Sequence, residues 1–277
     1  MLLDWEDQLN HPTAERTSHM YTLGIDIGST TSKCVILKDG ASIAAKSLQL
    51  GGLGTDGPED ALTELWQKSG LTRADMARVI VTGYGRNKFE GADGEVSELT
   101  CHALGGRFVF PDLRTVIDIG GQDAKIISLT PDGRMSNFIM NDKCAAGTGR
   151  FLEVMANILR LDIDDLGTIA AQSDSPAAIS STCTVFAESE VISQLANGVK
   201  RPDLVAGICQ SVATRVASLA RRAGIVERVC MSGGVARNEA VRRYMAQALD
   251  VEISYDPLAQ YFGAIGAALY AWKQAAK

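Results

Sequence analysis

The chain contains one short design twice, and this repeat limits the fold more than any other feature. Residues 21–37, YTLGIDIGSTTSKCVIL, contain an apolar strand, a glycine turn rich in hydroxyl groups and a second apolar strand, the pattern of a β-hairpin. Residues 114–129, RTVIDIGGQDAKIISL, have the same pattern. One glycine hairpin would be weak evidence, but the paired match predicts two halves with a common plan. A gapless alignment pairs Ile25, Asp26, Ile27, Gly28, Lys33 and Leu37 with Ile117, Asp118, Ile119, Gly120, Lys125 and Leu129.

Each turn suits nucleotide phosphates by its residue types. Glycine lets backbone N–H groups approach an anion, and the preceding aspartate can hold hydrated Mg²⁺, so two such turns can close on one triphosphate. A third motif, VCMSGGVARN at residues 229–238, predicts a strand, a glycine turn and a helix start. Because a backbone of this shape can pass close beneath a nucleotide, we predict that the motif forms the floor of an adenosine site.

Length and composition exclude several other classes of protein. A chain of 277 residues has room for two modest domains. It has no apolar run of about 18 residues that could cross a bilayer. The net charge of −6 argues against nucleic acid or an anionic membrane as the main partner. Residues 1–20 lack the features of a secretion signal and predict a flexible N-terminal extension. We therefore expect a cytoplasmic protein with small-molecule and protein partners.

Two of the six cysteines stand out, in a chain where thiols are expected to be reduced or to bind metal. Cys144 lies in a glycine-rich turn, NDKCAAGTGR, directly before a helix that begins near Thr148. Cys183 lies among hydroxyl residues just before a helix that Gly198 ends. The partial positive charge at a helix N-terminus would stabilise thiolate ligands and a reduced cluster. The alternative is that both are small residues packed in tight turns.

The presence of two such cysteines in each chain predicts an oligomeric state. A [4Fe–4S] cluster takes four thiolates, and two per chain supply half of them, so a cluster on the twofold axis of a homodimer would complete the set. The other four cysteines fit the protein core better. Cys34, Cys209 and Cys230 lie in apolar strands or on a helix. Cys101 precedes His102, but on a helix neighbouring side chains point to different faces, so we predict that it is also packed.

The order of the motifs resembles the actin, Hsp70 and sugar-kinase superfamily over residues 21–275. The resemblance implies an α/β protein with two ribonuclease-H-like domains and an ATP cleft between them. It places the first domain at residues 21–113 and the second, with the cluster cysteines, at residues 114–262. The last helix would cross back to the first domain. Helices are predicted at residues 58–67, 97–110, 148–159, 203–223 and 263–275.

A more specific resemblance covers nearly all of residues 21–277. The motifs are similar to those of the BadF/BadG/BcrA/BcrD-type ATPases that activate 2-hydroxyacyl-CoA dehydratases, above all to the activator, component A, of 2-hydroxyglutaryl-CoA dehydratase. One departure is ADGE at residues 92–95, where that family has ADKQ. The strings that carry the resemblance are GIDIGSTTSKCVILKDG, VTGYGRN, VIDIGGQDAK, NDKCAAGTGRFLEVMA, STCTVFAESEVISQLANG and YFGAIGAALYA.

The resemblance implies a set of site residues. Cys144 and Cys183 would bind one [4Fe–4S] cluster per homodimer, two thiolates from each subunit, and Asp26 and Asp118 would hold Mg²⁺ through water. Gln260 would be either a nucleotide ligand or a turn and capping residue. ATP contacts would come from Ser29, Thr30, Thr31, Ser32, Lys33, Gly121, Gln122, Asp123, Gly233 and Gly234. By chemistry and position, Gln122 or Asp123 is the candidate that positions the water attacking the γ-phosphate.

The implied activity is electron transfer driven by ATP. Reduced ferredoxin or flavodoxin would supply one electron, and ATP in both clefts would close the domains and swing the two helices that face the cluster. That swing would change the exposure and the local dipoles that set a reduction potential. The electron would pass to the dehydratase, component D, which forms a ketyl radical, and ATP hydrolysis would reset the activator. The acyl-CoA need not touch this subunit, so the sequence does not specify which one the partner dehydrates.

Three other hypotheses stay open on the sequence alone. An ATPase subunit of a benzoyl-CoA reductase belongs to the same wider family, although the NDKCAAGTGR and GGQD strings favour the dehydratase activator. A small-molecule kinase with the actin-like fold would share the ATP loops but would have no need of two cysteines before helices. A nucleotide-binding structural module, of the kind that forms actin-like filaments, has little support.

Overall fold

The computed structural model of the protein describes residues 19–180 and 183–277. The predicted extension, residues 1–20, lies outside the described residues except for its last two. The first half contains β1 (Tyr21–Ile27), β2 (Thr31–Lys38), β3 (Ser42–Leu50), α1 (Gly57–Ser69), β4 (Met76–Thr82), β5 (Gly94–Glu95) and α2 (Glu98–Val109). The second half contains β6 (Thr115–Ile119), β7 (Ala124–Leu129), β8 (Met135–Asn141), α3 (Gly149–Leu159), α4 (Leu166–Ala170), α5 (Thr184–Ala196), α6 (Arg201–Ala223), β9 (Val229–Ser232), α7 (Glu239–Leu249), β10 (Ile253–Ser254) and α8 (Phe262–Ala275).

Two five-stranded sheets follow one plan. In the first, ordered β3-β2-β1-β4-β5, the antiparallel hairpin β1–β2 continues into β3, and β4 runs parallel to β1 on its other side. In the second, ordered β10-β9-β6-β7-β8, the antiparallel hairpin β6–β7 continues into β8, and β9 runs parallel to β6. The structure therefore confirms both predicted hairpins and their common plan.

The register of each hairpin sets an aspartate opposite a lysine. Asp26 pairs with Lys33 across β1 and β2, and Asp118 pairs with Lys125 across β6 and β7. The apolar residues around them are buried, as expected for sheets on which helices pack. Each sheet thus brings one Asp–Lys pair close to the glycine turn of its hairpin.

The five helices predicted with bounds are present, with ends that differ from the prediction by at most two residues, and so is the helix predicted after Cys183. Local chemistry explains these ends. Pro58 lies in the first turn of α1, and Gly70, with φ of 67°, closes its C-terminus. Ser97 caps α2 with its side chain. Because Pro202 is tolerated in a first helical turn, α6 begins two residues before the predicted start.

The connection between the two halves runs through α2 and α8. Helix α8 packs on β1, β2 and β4 and against α2, while α2 also contacts β6 and β7. The approach is close because a Cβ on Gly24 would overlap the backbone of Ala264. Helix α2 therefore lies at the junction of the halves, and we retain residues 21–113 and 114–262 as the proposed domains. Within the described residues, no helix has both the length and the apolar character of a membrane span.

Candidate functional site

A cavity of about 700 Å³ lies between the turns of the two hairpins. Its wall also includes the motif after β9, the start of α3 and the start of α2. This volume is in the range of small-molecule and cofactor sites. The predicted phosphate and adenosine motifs thus face one common space.

Most of the residues expected to contact ATP or Mg²⁺ line this cavity. Two of them do not. Ser32 is buried, and its hydroxyl donates to the Gly51 carbonyl at 2.9 Å, whereas Gln122 is exposed at the second turn. The nucleotide-binding role of each lining residue stays a prediction. The expected residues that line the cavity are Asp26, Ser29, Thr30, Thr31, Lys33, Asp118, Gly121, Asp123, Gly233, Gly234 and Gln260.

The two turns have the same backbone geometry and touch each other. The amide of Gly28 donates to the carbonyl three residues on at 3.0 Å, and the amide of Gly120 does the same at 2.9 Å. A Cβ on Gly121 would overlap the Thr30 side chain. The close approach of the two hairpin turns therefore favours glycine at position 121.

Two buried carboxylates face the cavity, Asp26 from β1 and Asp118 from β6. Asp118 lies 3.5 Å from Lys125 Nζ and accepts a hydrogen bond from the Ser232 hydroxyl at 2.7 Å. Burial acts to raise the pKa of Asp118, but the charges of His102 and Lys125 and this hydrogen bond hold it below its usual value. Two carboxylates that line one cavity are a donor set that fits hydrated Mg²⁺.

A buried network of charges surrounds the second turn. Lys125 contacts Asp123, and its Nζ lies 3.5 Å from both Asp118 and Glu98. Burial acts to lower the pKa of Lys125, but the three carboxylates raise it far above its ordinary value, so the ammonium stays charged. Burial raises the pKa of Glu98, and the charges of Lys125 and His102 offset only part of that rise. The cavity floor therefore contains a cation shared by three acids.

Glu98, His102 and Lys125 line the cavity, although the sequence motifs do not assign them to the site. Glu98 and His102 lie four positions apart on α2 and therefore on one face. His102 Nδ1 lies 3.4 Å from Asp118 Oδ1 and from Ser232 Oγ. The sequence itself shows that Glu98 and His102 are four residues apart within a predicted helix. The face that meets the hairpin depends on how α2 packs on β6 and β7, which the spacing does not tell.

The predicted adenosine motif lines the cavity beside Asp118 and Ile119. Gly233 has φ of 81°, and a Cβ there would overlap the Ile119 carbonyl. The Gln260 amide lies beside Gly234. In the short turn before α8, the capping group is Asp256, which accepts from the amide two residues later at 2.7 Å. The capping role therefore falls to Asp256, and this favours the nucleotide hypothesis for Gln260.

The six cysteines divide into two sets by burial. Cys34, Cys101, Cys209 and Cys230 are buried, as predicted, and burial raises the pKa of Cys101 and of Cys209 to about 12. Cys144 and Cys183 are exposed. Across residues 19–180 and 183–277, no three or more His, Cys, Asp and Glu side chains group in a way that could hold a metal ion. The two exposed thiols are the ones that precede helices.

The loop that carries Cys144 is joined by hydrogen bonds to the turn of the second hairpin, between β6 and β7. Helix α3 begins five residues after this cysteine, behind the N-cap Thr148. The first two amides of α3 each donate to a carbonyl of the turn at 2.8 Å. The donors are Gly149 and Arg150, and the acceptors are Gly120 and Gly121. One short segment therefore has a thiol at one end and the wall of the cavity at the other.

Cys183 is the N-cap of α5, a helix with no acidic residue in its first turn. Further along α5, Glu190 accepts hydrogen bonds from the Ser180 amide at 3.0 Å and from its hydroxyl at 2.9 Å. Gln194 donates to the Ala178 carbonyl at 2.8 Å. Helix α5 thus forms hydrogen bonds with residues 178 and 180, which precede it in the chain.

Three known proteins are similar to the chain over almost its whole length. The (R)-2-hydroxyglutaryl-CoA dehydratase activating ATPase of Acidaminococcus fermentans is 59% identical over 93% of this chain and 99% of its own. The crystal structure of that organism's (R)-2-hydroxyglutaryl-CoA dehydratase component A has a TM-score of 0.91. An activator of the 2-hydroxyisocaproyl-CoA dehydratase from Clostridium difficile, solved with bound ADPNP, is 54% identical over 93% of this chain and 96% of its own, also with a TM-score of 0.91. The activator of lactoyl-CoA dehydratase of Anaerotignum propionicum is 52% identical over 93% of this chain and 100% of its own.

A more distant likeness concerns the fold alone. A ROK-family glucokinase from Streptomyces griseus, 13% identical, covers 91% of this chain and 99% of its own with a TM-score of 0.55. The predicted actin-like α/β fold and the predicted ATPase class are thus both confirmed. Because the model of the BadF/BadG/BcrA/BcrD ATPase family matches residues 23–271, the chain belongs to that family.

Proposed function

We propose that the protein is an ATP-dependent one-electron donor that activates a 2-hydroxyacyl-CoA dehydratase. The motif strings and the 59% identity to its activating ATPase favour 2-hydroxyglutaryl-CoA dehydratase as the partner. The proposal includes one [4Fe–4S] cluster that bridges a homodimer, with Cys144 and Cys183 of each subunit as ligands.

The segment from Cys144 to the start of α3 carries the proposal. Its first part is an exposed thiol, and its last part donates two backbone hydrogen bonds to the second phosphate turn. A kinase has no use for such a connection. A protein that couples nucleotide binding to a redox centre needs one, because the nucleotide must act on the ligands of that centre.

The lining of the cavity supports ATP as its ligand, because it includes most of the residues predicted to contact ATP. The relative solved with ADPNP supports ATP as the ligand. We propose that the two turns and Lys33 bind the phosphates, that Asp26 and Asp118 hold Mg²⁺ through water, and that the adenosine lies over Gly233. Gln122 and Asp123 remain the candidates from sequence for positioning the attacking water.

The surroundings of the two thiols fit a bridging cluster. Both are exposed, and the turn after Cys144 continues with the small residues Ala145, Ala146 and Gly147. Next to Cys183, the side chain of Phe186 is 68% exposed, an apolar surface that a second subunit would cover. When bound, such a cluster stores and releases one electron.

The proposed coupling mechanism depends on which part of the structure holds the segment of each thiol. A triphosphate that draws the two turns together moves the second turn, and the first amides of α3 move with it. Cys144 then shifts relative to Cys183, whose leading segment is held by Glu190 of its own helix. We propose reduced ferredoxin or flavodoxin as the electron donor and component D as the acceptor. Hydrolysis releases the turns and returns the thiols to their first arrangement.

The alternatives from sequence are weaker for specific reasons. Three relatives more than 50% identical are named for activating dehydratases, which favours that activity over the benzoyl-CoA reductase role. The likeness to a glucokinase concerns the fold alone. The kinase hypothesis also leaves both exposed cysteines without a purpose.

Iron and sulfide analysis of protein purified without oxygen tests the proposal. We expect one [4Fe–4S] cluster per dimer, with its visible absorbance, in the wild type. We expect Cys144→Ala and Cys183→Ala each to lose the cluster, because each removes two of the four thiolates. The matched control is Cys101→Ala, which changes a buried cysteine and should keep the full iron content.

Two outcomes would contradict the proposal. One is a colourless wild type that is folded and binds ADPNP, which would favour a kinase-like function. The other is full iron content in both variants. With the cluster established, ATP-dependent activation of purified 2-hydroxyglutaryl-CoA dehydratase by the reduced protein then tests the partner.

A further inference from the structure

Helix α2 presents two side chains to the floor of the cavity. Glu98 and His102 are one turn apart, and both line the space between the hairpin turns. The N-cap Ser97 fixes where α2 begins, so Glu98 lies in its first turn. No sequence motif assigned this helix to the site, and its two polar groups need an explanation, because ionisable side chains are rarely buried without one.

Glu98 and Asp123 compete for the role of the carboxylate nearest the reacting phosphate, and their surroundings differ. Asp123 is 5% exposed, contacts Lys125, and has its other oxygen folded over Gly120 in its own turn. Glu98 is 19% exposed and lies 3.5 Å from the same ammonium. The closest contact of Lys125 is with Asp123, while Asp118 and Glu98 each lie 3.5 Å from its Nζ. Glu98 is the more exposed of the two competing carboxylates and lines the cavity, so it has capacity for a further hydrogen bond there.

The chemistry of phosphoryl transfer to water needs such a group. The attacking water must lie in line with the bond to the leaving oxygen, and a residue must orient it and take its proton. The raised pKa of Glu98, which burial causes, makes this carboxylate a better proton acceptor than an ordinary glutamate. Gln122, the amide candidate from sequence, is exposed and does not line the cavity.

We propose that Glu98 is the catalytic carboxylate of ATP hydrolysis, with His102 and Lys125 as positioning residues. The water oxygen forms a bond to the γ-phosphorus while the bond from that phosphorus to the β,γ-bridging oxygen breaks. The water proton passes to Glu98, and ADP departs with the electron pair of the broken bond. Glu98 then releases the proton to phosphate or solvent. The inference rests on the proposed placement of ATP in this cavity.

The positioning roles follow from the contacts. Lys125 holds Glu98 at 3.5 Å from one side of the cavity floor. His102 lies 3.4 Å from Asp118 and from Ser232, and so fixes the orientation of the carboxylate proposed to hold Mg²⁺. Water and metal would then be oriented from one face of one helix.

The test compares Glu98→Gln with three other variants in the full-length dimer. ADPNP affinity with Mg²⁺ is measured by calorimetry, and kcat by phosphate release from ATP. We expect Glu98→Gln to lower kcat by about 100-fold or more, the usual contribution of a general base, with ADPNP affinity within about threefold of the wild type. The matched control Glu64→Gln removes another Glu–Lys pair, on α1 and away from the cavity, and should leave both quantities unchanged.

The competing assignments are tested by Asp123→Asn and Gln122→Ala. A normal kcat in Glu98→Gln, or a loss of at least 100-fold in either competing variant with little change in Glu98→Gln, would overturn the proposal. A parallel loss of ADPNP affinity in Glu98→Gln would show a binding role instead. If Glu98→Gln does not fold, Glu98→Asp is measured instead. This variant keeps a carboxylate near Lys125, but its shorter side chain moves the oxygens away from the cavity, so we expect kcat to fall by about tenfold. A wild type that binds no ADPNP would refute the proposed nucleotide site itself, which is a separate failure.

Discussion

The two hairpins bring the same Asp–Lys pair to one cavity, but in different surroundings. In the first, Lys33 lies 3.4 Å from Asp26, and its side chain keeps some contact with solvent. In the second, Lys125 is almost fully buried and is shared by three carboxylates, one of which comes from α2. The repeated plan has therefore kept its turn geometry, while only the second hairpin has a surrounding network of acids.

The backbone carbonyls of the two turns also hold different neighbours. The Thr30 carbonyl accepts from the Gly51 amide at 2.9 Å, in a loop at the cavity rim. The carbonyls of the second turn accept from the start of α3, beyond the Cys144 loop. The two copies of the duplicated turn thus differ in the part of the structure to which each is bonded. The first turn contains the hydroxyl groups proposed to contact the nucleotide, and the second turn is joined through α3 to the loop that carries Cys144.

The largest expected difference between the hairpins concerns their lysines. Lys125→Met should lower the free energy of unfolding by about 3–5 kcal/mol, because it leaves buried carboxylates without their cation. Lys33→Met should cost about 1–2 kcal/mol, since it removes one partner from a single carboxylate. Urea unfolding without nucleotide measures both values. Equal losses of unfolding free energy in the two variants would show that the acids around Lys125 do not depend on its charge. That result would contradict the proposed difference between the two hairpins.

The contact between the turns is tested by Gly121→Ala. Its Cβ would overlap the Thr30 side chain and push the hairpins apart, so we expect ADPNP affinity to fall by about tenfold, or 1.4 kcal/mol. Adding Thr30→Ala, which removes the overlapping atoms beyond Cβ, should restore part of the loss. Calorimetric titration of both single variants and the double variant gives the coupling energy. Strictly additive effects would mean that the two turns act independently.

Much of the fold could be predicted because the local signals agree. The apolar alternation and the glycines of the hairpins predict strands and turns, and Pro58, Ser97 and Gly70 mark helix ends. The burial or exposure of the cysteines could be predicted from local sequence in the same way. Those within apolar strands or helices are buried, and the two in polar or glycine-rich turns are exposed. These properties depend on near neighbours in the chain, which is why one sequence is enough to predict them.

The site was predicted less completely, for two physical reasons. Five consecutive residues from Ser29 to Lys33 were expected to contact ATP, but side chains alternate along a strand, so Ser32 points away from the side that Thr31 and Lys33 share. This period of two would have separated Ser32 from its neighbours on the sequence alone, and its contact with ATP stays a prediction. Glu98 is different, since its approach to Lys125 depends on the packing of α2 across both halves, which no local pattern encodes.

The connection of the second turn to α3 is tested by hydrogen exchange. ADPNP with Mg²⁺ should slow exchange in residues 142–152 by about tenfold, because a ligand stabilises the state in which the turn and α3 are joined. Residues 183–190, at the start of α5, should change by less than about threefold. Mass spectrometry of peptides from the same sample supplies both values. Equal protection of the two segments would mean that nucleotide binding does not distinguish the two thiols.

The smallest expected effect separates Ser32 from the residues beside it. Ser32→Ala removes the donor to the Gly51 carbonyl and should lower the free energy of unfolding by about 1 kcal/mol, with ADPNP affinity within about threefold of the wild type. Ser29→Ala, at a position that lines the cavity, should show the opposite pattern of weaker binding and unchanged stability. Urea unfolding and calorimetry on both variants measure the two quantities. If Ser32→Ala instead loses nucleotide affinity and keeps its stability, the serine contacts ATP as the motif alone predicts, and the first turn must rearrange when the nucleotide binds.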